Sequence, residues 1–226
     1  MQYTWGELES SWLQDDLICW DSLIVGAKKL FYKKNTYLFH HQEVANAAYV
    51  VAKGRFRITY YHEDGNEKQL YIAETGSLCG EGECICSLPY NTTAFAITDS
   101  EVYHISTSEL LRRMETNSKL TQRLLEYEIR KTHLLQSQVI SLSFEQASSR
   151  IARILLNLYQ LYGKENEYGL CLTVKFTKND IAGIVGTSRV TASSELSKME
   201  QSGLLIKHNG YYYITNLDSL RKLVDL

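Results

Sequence analysis

The chain has 226 residues, 44% apolar and 22% charged, a composition that fits a globular protein of one large or two ordinary domains. A single proline argues against Pro-rich linkers, and no apolar run approaches the roughly 18 residues a membrane-spanning helix needs. Net charge is −2, which alone signals no nucleic-acid partner. Its distribution is more informative: residues 1–144 carry 14 Lys+Arg against 18 Asp+Glu, and residues 145–226 carry 10 against 8. An acidic front and a mildly basic back fit a sensor joined to a DNA-binding unit.

The chain opens with MQYTWGELESSWLQDD, an acidic, amphipathic stretch expected to be helical. It lacks the basic region and apolar core of a signal peptide, so the expected location is the cytoplasm. The five cysteines (Cys19, Cys79, Cys84, Cys86 and Cys171) are an odd number and are expected to be reduced thiols.

Residues 36–106 read as strands. RFRITYY (55–61) alternates, with Phe56, Ile58 and Tyr60 on one face and Arg57, Thr59 and Tyr61 on the other. HEDGNE is a polar turn centred on Asp64-Gly65, and KQLYIA follows it, a hairpin signal. Further short strands are predicted at YVVA, TAFAI and EVYHI. Regular spacing with turn residues between predicts an antiparallel sandwich or roll.

The period then changes. From about Ser108 to Ser143 there is no Gly or Pro, and Leu120, Leu124, Tyr127, Leu134, Leu135, Val139 and Leu142 recur in steps of three or four. Leu125 and Ile129 lie off that stripe, which predicts a helix that both lies on its own roll and pairs with a second copy. EQASSRIARILLNLYQLY (145–162) reads as another helix, followed by a polar loop, KENEYG, and a short strand, LCLTVKF.

TKNDIAGIVGTSRVTASSELSKMEQSGLL (177–205) has the layout of a helix-turn-helix. Thr177 can cap the first helix, with Asp180 in its first turn near the positive dipole end. Gly186 permits the tight turn and Ser188 can cap the second helix. Ala192, Leu196 and Met199 face inward at i, i+4, i+7, leaving Arg189, Val190, Ser193 and Ser194 outward near the N-terminus that reads base edges. Lys178, Ser188 and Thr191 complete the expected DNA-contacting set. GLLIKHNGYYYI forms a hairpin through Asn209-Gly210, making the unit a winged helix.

This order of elements resembles the Crp/Fnr family of bacterial transcription regulators. The resemblance runs through AYVVAKGRFRITYYHEDGNEKQLYIAETGSLCGE (48–81), RIARILLNL (150–158) and DIAGIVGTSRVTASSELSKME (180–200). It implies an α+β chain with an antiparallel, jelly-roll-type β-roll for effector binding at 1–107, a long dimerisation helix at 108–143 and a winged helix-turn-helix at 144–226. It further implies a homodimer, Phe144 near a hinge between domains, double-stranded DNA as partner and contact with RNA polymerase. In the family's cyclic-AMP-binding members a Gly-Glu pair precedes an Arg-Ser pair that holds the cyclic phosphate. Here Gly80 and Glu81 match and Thr93 stands for the Ser, but the Arg position falls on Thr92 or Asn91. The two polar positions that face the purine correspond to Leu135 and Gln136. Losing the cation removes a charge-assisted contact, so the expected effector is not cyclic AMP. It is expected against Gly80, Glu81, Thr92, Thr93, Tyr127, Lys131, Leu135 and Gln136. Members that respond to chlorinated aromatic acids also lack that arginine and carry Val-Thr at the head of the reading helix, as Val190-Thr191 do here.

A second reading is a cysteine-based redox or metal sensor on Cys79, Cys84 and Cys86, with the same DNA-binding output. The spacing is not a standard zinc knuckle, buried free cysteine is common, and no cofactor is expected. No nucleophile–base pair, carboxylate dyad or phosphate loop stands in a fitting context, so an enzyme is not expected. The family pattern usually places Glu and Arg where this chain has Val190 and Ser194. Val190 can touch a thymine methyl, which predicts an A·T-rich palindrome with half-sites about one helical turn apart.

Overall fold

The computed structural model describes residues 12–63, 67–167 and 169–224. The chain divides into two compact units, and the division falls between Leu135 and Gln136, inside a helix.

Two sheets share one core in the first unit. One runs β1 (Trp12–Leu13), β6 (Glu67–Ala73), β5 (Phe56–Tyr61), β8 (Thr93–Ala96), β3 (Tyr37–Phe39). The other runs β2 (Lys28–Tyr32), β9 (Ser100–Ser106), β4 (Ala47–Lys53), β7 (Leu78–Cys79). The ladders are antiparallel except β1–β6, which is parallel. β4 is buried through its first five residues, AAYVV, as an interior strand with both faces covered must be. Val50, Phe56, Ile58, Val102 and Ile105 meet in the shared core.

The alternation expected for residues 55–61 stops after Ile58. Across β5 and β6 the partners step from Ile58–Tyr71 to Thr59–Gln69, so Leu70 is an extra residue, a β-bulge. Beyond it Thr59 is buried and Tyr60 exposed. The expected turn at Asp64-Gly65 and most of the acidic N-terminal stretch lie outside the described residues. What is described of that stretch leads into a 3-10 turn (Leu17–Trp20) and α1 (Asp21–Ile24). Trp20, fully buried, donates its indole N–H to the Gly76 carbonyl at 2.7 Å.

β7 runs into a short helix, α2 (Glu81–Cys86). The single helix expected over 108–143 is two. α3 (Thr107–Thr116) ends at Asn117, whose extended backbone breaks the run. The Asn117 side chain then accepts from the Leu120 N–H at 3.1 Å and starts α4 (Ser118–Phe144) afresh. α4 buries Leu120, Leu124, Tyr127 and Leu134, while Leu125, Ile129, Val139 and Ile140 stay exposed. Arg123 and Arg130 of α4 both hold the Asp15 carboxylate, the second at 3.1 Å.

In the second unit α5 (Ala147–Tyr162) buries Ile151, Ile154, Leu155 and Leu158 along one side. The expected polar loop after it is instead a strand. β10 (Gly163–Asn166) pairs with β11 (Gly169–Leu172), and as a solvated edge strand it needs no apolar alternation. α6 (Lys178–Val185), α7 (Arg189–Gln201), β12 (Leu205–His208), β13 (Tyr211–Ile214) and α8 (Leu217–Lys222) complete the unit, with sheet order β10-β11-β13-β12. The β12–β13 turn is Asn209-Gly210 with both φ positive, the backbone that Asn-Gly favours.

Candidate functional site

Local chemistry fixes the pose of α6 and α7. Thr177 Oγ1 accepts from the Asp180 N–H at 3.1 Å and the Asp180 carboxylate accepts from the Thr177 N–H at 2.8 Å, a reciprocal capping box. Gly186 ends α6 at φ +68°, and Ser188 Oγ caps α7 by accepting from the Thr191 N–H at 3.0 Å. Ala192, Leu196 and Met199 are buried, which sets the rotation of α7 about its axis. Arg189, Val190, Ser193, Ser194 and Ser197 therefore share one shallow, open face.

Val190 is 78% exposed on that face, so packing gives no reason for its size. Lys178 Nζ donates to Ser193 Oγ at 2.8 Å and so touches the face from α6. Ser188 and Thr191 also belong to the expected DNA-contacting set; their hydroxyls lie 2.9 Å from each other and serve the cap. Ser197 was missing from that set, although its place one turn beyond Ser193 is a readable signal.

The roll holds a second candidate, a cavity of about 180 Å³ between its strands and the middle of α4. Gly80, Thr92, Lys131 and Leu135 line it, as the sequence led one to expect. Gly80 has φ +77°, and a Cβ there would stand 2.7 Å from the Tyr90 ring, so both backbone and space demand glycine. Glu128, Thr132 and Leu135 fall on the face of α4 that Lys131 marks. Glu128 and Thr132 were absent from the expected set, although the i, i+3, i+4, i+7 spacing from Glu128 to Leu135 is a signal that could have found them. Phe39, Ile58, Leu70 and Tyr71 supply apolar and aromatic walls, and Leu70 is the bulge residue that no periodicity argument would have turned inward.

Four expected contacts do not line it: the fully buried Glu81, and Tyr127, Thr93 and Gln136. Tyr127 is fully buried and does not line the cavity. Its hydroxyl accepts from the Leu78 N–H at 2.7 Å and donates to the Leu78 carbonyl at 3.2 Å, and its ring meets Trp20 edge-on. Thr93 Oγ1 accepts from the His41 N–H at 3.0 Å. Gln136 is exposed, one residue past the last lining residue. In each case a helical stripe or a family position could not say which way the side chain turns.

The electrostatics of the cavity centre on Lys131. Its ammonium is bonded to Glu81, a fully buried carboxyl, and to Glu128 at 3.2 Å. Burial pushes the Glu81 carboxyl up to about 8; Lys131 opposes this, and the neighbouring Glu128 carboxylate reinforces it. Burial works against the ammonium too, yet Glu81 and the other acidic neighbours outweigh it and hold Lys131 well above the ordinary lysine value. Glu128 is held below its ordinary value, because Lys131 and the hydrogen bonds to Glu81 and Lys131 outweigh its own burial. Glu81 Oε2 is buried without a hydrogen-bond partner. No Lys or Arg lies between Gly80 and Thr93, where a cyclic phosphate would need one, and Asn91 and Thr92 line the cavity instead.

Cys79 and Cys84 are buried, and burial raises both thiols, away from the reactive thiolate; Cys86 is exposed. Among the described residues no three His, Cys, Asp or Glu side chains are grouped to hold a metal ion.

A family model described as a cyclic nucleotide-binding domain matches residues 29–117, and one described as a Crp-like helix-turn-helix domain matches residues 149–223. The chain belongs to the Crp/Fnr family. It is a DNA-binding transcription regulator with an effector-binding domain, in a family of regulators and not of enzymes. It is 26% identical over 181 residues to the cyclic AMP receptor protein of Thermus thermophilus, covering 79% of each chain. It is 25% identical over 193 residues to the anaerobic regulatory protein of Bacillus subtilis, covering 84% of this chain and 80% of the relative. A solved CRP-family transcriptional regulator of Thermus thermophilus has the same fold, with a TM-score of 0.74 at 21% identity over 87% of this chain and 97% of its own. No described helix is long and apolar enough to cross a membrane.

Proposed function

We propose that this Crp/Fnr regulator acts in the cytoplasm as a homodimer that binds an A·T-rich palindrome. In this reading a small effector other than cyclic AMP occupies the roll cavity and controls binding, and the DNA-bound dimer works through RNA polymerase. The observation that carries the DNA reading is Val190, 78% exposed at the N-terminal end of α7 among Arg189, Ser193 and Ser194. An apolar side chain displayed there suits a thymine methyl, and no carboxylate beside it accepts from cytosine. Leu125, Ile129, Val139 and Ile140, all exposed along α4, are the surface a second copy would cover. The relatives point to no one signal: two of nearly equal identity are named for cyclic AMP and for anaerobic regulation.

Cyclic AMP fits the cavity poorly. Its phosphate would meet Asn91 and Thr92 without a cation, and the one lysine in the wall is already bonded to Glu81 and Glu128. A cysteine-based sensor draws less support, because burial keeps the Cys79 and Cys84 thiols protonated.

The test is selection of bound duplexes from a random pool, with the full chain and with Val190→Glu. The expected result is an A·T-rich palindrome with half-sites about one helical turn apart. Val190→Glu should change base preference at one position in each half-site. If the variant lowered affinity evenly for every sequence, α7 would not be reading bases through this face.

A further inference from the structure

The roll cavity is acidic, and that sign identifies a class of ligand. Its charged lining consists of Glu83, Glu128 and Lys131. The Lys131 ammonium is not available to an incoming anion, since it already holds Glu81 and Glu128. A carboxylate or phosphate entering here would lose its water and face Glu83 and Glu128 with no free cation to answer it. The remaining walls are apolar and aromatic, formed by Phe39, Ile58, Leu70, Tyr71 and Leu135. Carboxylates beside aromatic faces suit a cation with an apolar body: the charge pairs with oxygen and the ring faces add cation–π attraction. The volume, about 180 Å³, is below the roughly 300 Å³ at which pockets for drug-sized ligands begin, so the ligand is compact.

We propose that the roll cavity binds a compact organic amine in its protonated form, its ammonium held by Glu83 and Glu128 and its apolar body against Phe39, Tyr71 and Leu135. This rests on the reading of the cavity as the effector site and deepens it, replacing an unnamed effector by a cationic one.

The test uses the full chain and three probes that share one body and differ in charge: 2-phenylethylamine, 2-phenylethanol and phenylacetate. Binding is measured by titration calorimetry at neutral pH. The amine should bind, phenylacetate should not, and the alcohol should be weaker than the amine. Glu83→Gln and Glu128→Gln should each weaken the amine by about tenfold, the loss of one charge-assisted contact. Both residues are partly exposed, so folding should survive, as circular dichroism will verify. Leu135→Trp, which fills the cavity, should abolish binding. Equal or tighter binding of phenylacetate overturns the cationic class, and so does amine binding indifferent to both glutamine variants. Binding of none of the three overturns it as well. The underlying site fails separately. If the amine binds, is lost in Leu135→Trp and leaves DNA affinity unchanged, the cavity takes amines but is not the effector site. If phenylacetate binds, is lost in Leu135→Trp and alters DNA affinity, the effector site stands and the amine is wrong.

Discussion

The roll and the winged helix treat charge in opposite ways. The roll takes charge inside: Asp15 is bridged by two arginines of α4, and Glu81 is fully buried against Lys131. Two ion pairs of the winged helix lie nearer water, Lys198 with Glu195 and Arg221 with Asp218, each with at least one well-exposed partner, and a third, Arg153 with Glu145, is partly buried. Surface pairs of that kind contribute between zero and about 1 kcal/mol, and their loss is seldom felt. A buried network is different, because removing one member leaves the others uncompensated in a medium that cannot solvate them. The roll is therefore built to respond to a change of charge in its cavity, while the winged helix is built to hold one surface steady.

The largest effect that separates the two regions should come from Lys131. Above about pH 8, where Glu81 is ionised, Lys131→Met leaves Glu81 and Glu128 facing each other without their cation and should cost the first unit about 3 kcal/mol or more. Trp20 is fully buried in that unit and no tryptophan follows it in the chain, so tryptophan fluorescence in a urea titration follows the first unit. Adding Glu81→Gln to the variant should recover much of the loss. A Lys131→Met chain as stable as the wild type would remove the contrast drawn above.

The same network should give the roll a pH dependence of its own. The Glu81 carboxyl is raised to about 8 when folded, against an ordinary value near 4.5, so between these limits the folded chain holds a proton that the unfolded chain releases. Stability from this group is fully present below about pH 4.5 and is lost as pH rises through about 8. The slope is at most about 1.4 kcal/mol per pH unit. Lys131 adds nothing in this window, because its raised value matters above the ordinary lysine range. Glu128, lowered on folding, contributes stability that is lost as pH falls through the acid range. Glu81→Gln should flatten the urea midpoint between pH 5 and 8, and an unchanged slope would place the titrating group elsewhere.

A smaller effect is expected where the winged helix is held by its caps. Ser188→Ala removes the acceptor for the Thr191 N–H at the start of α7 and should cost about 1 kcal/mol, read in the far-ultraviolet circular dichroism melt. A matching loss in DNA affinity would show that the cap also orients Arg189 and Val190; a melt unchanged from wild type would show that the cap contributes nothing.

These differences explain what could be read from the sequence. The caps of α6 and α7, the turn glycine, the inward Ala192, Leu196 and Met199 and the Asn209-Gly210 wing are all local, set by residues a few positions apart. The cavity is not local. It joins β3, β5, β6, the Gly80 turn and α4, and its wall depends on a bulge at Leu70 that shifts the register of two strands. Gly80, Thr92, Lys131 and Leu135 were found because the family frame marks their positions. Tyr127 and Thr93 were placed in the site by that frame and turn away from it, one to the Leu78 backbone and one to the His41 N–H. The break at Asn117 was missed because the apolar stripe says nothing about the residue that interrupts it. Periodicity gives the face of an element; which neighbour that face meets is settled by packing across the chain.

The smallest predicted effect concerns how the reading face is tuned. Ser193 Oγ accepts a hydrogen bond from Lys178 at 2.8 Å, which leaves the serine O–H to donate outward. As a donor it suits purine N7, guanine O6 or thymine O4, and it is poorly matched to the amino groups of adenine and cytosine. Lys178→Met frees Ser193 to accept as well as donate, so discrimination at one base position per half-site should fall by about 1 kcal/mol or less, with little change elsewhere. Competition binding against the four base variants at that position, at two salt concentrations, separates two roles for the lysine. Loss of discrimination at constant salt dependence means that Lys178 sets the polarity of Ser193. An even loss for all four, with the salt slope smaller by about one, means that it serves only as a phosphate contact. The winged helix would then read DNA without help from α6, and the steadiness of its surface would rest on the caps and the buried side of α7.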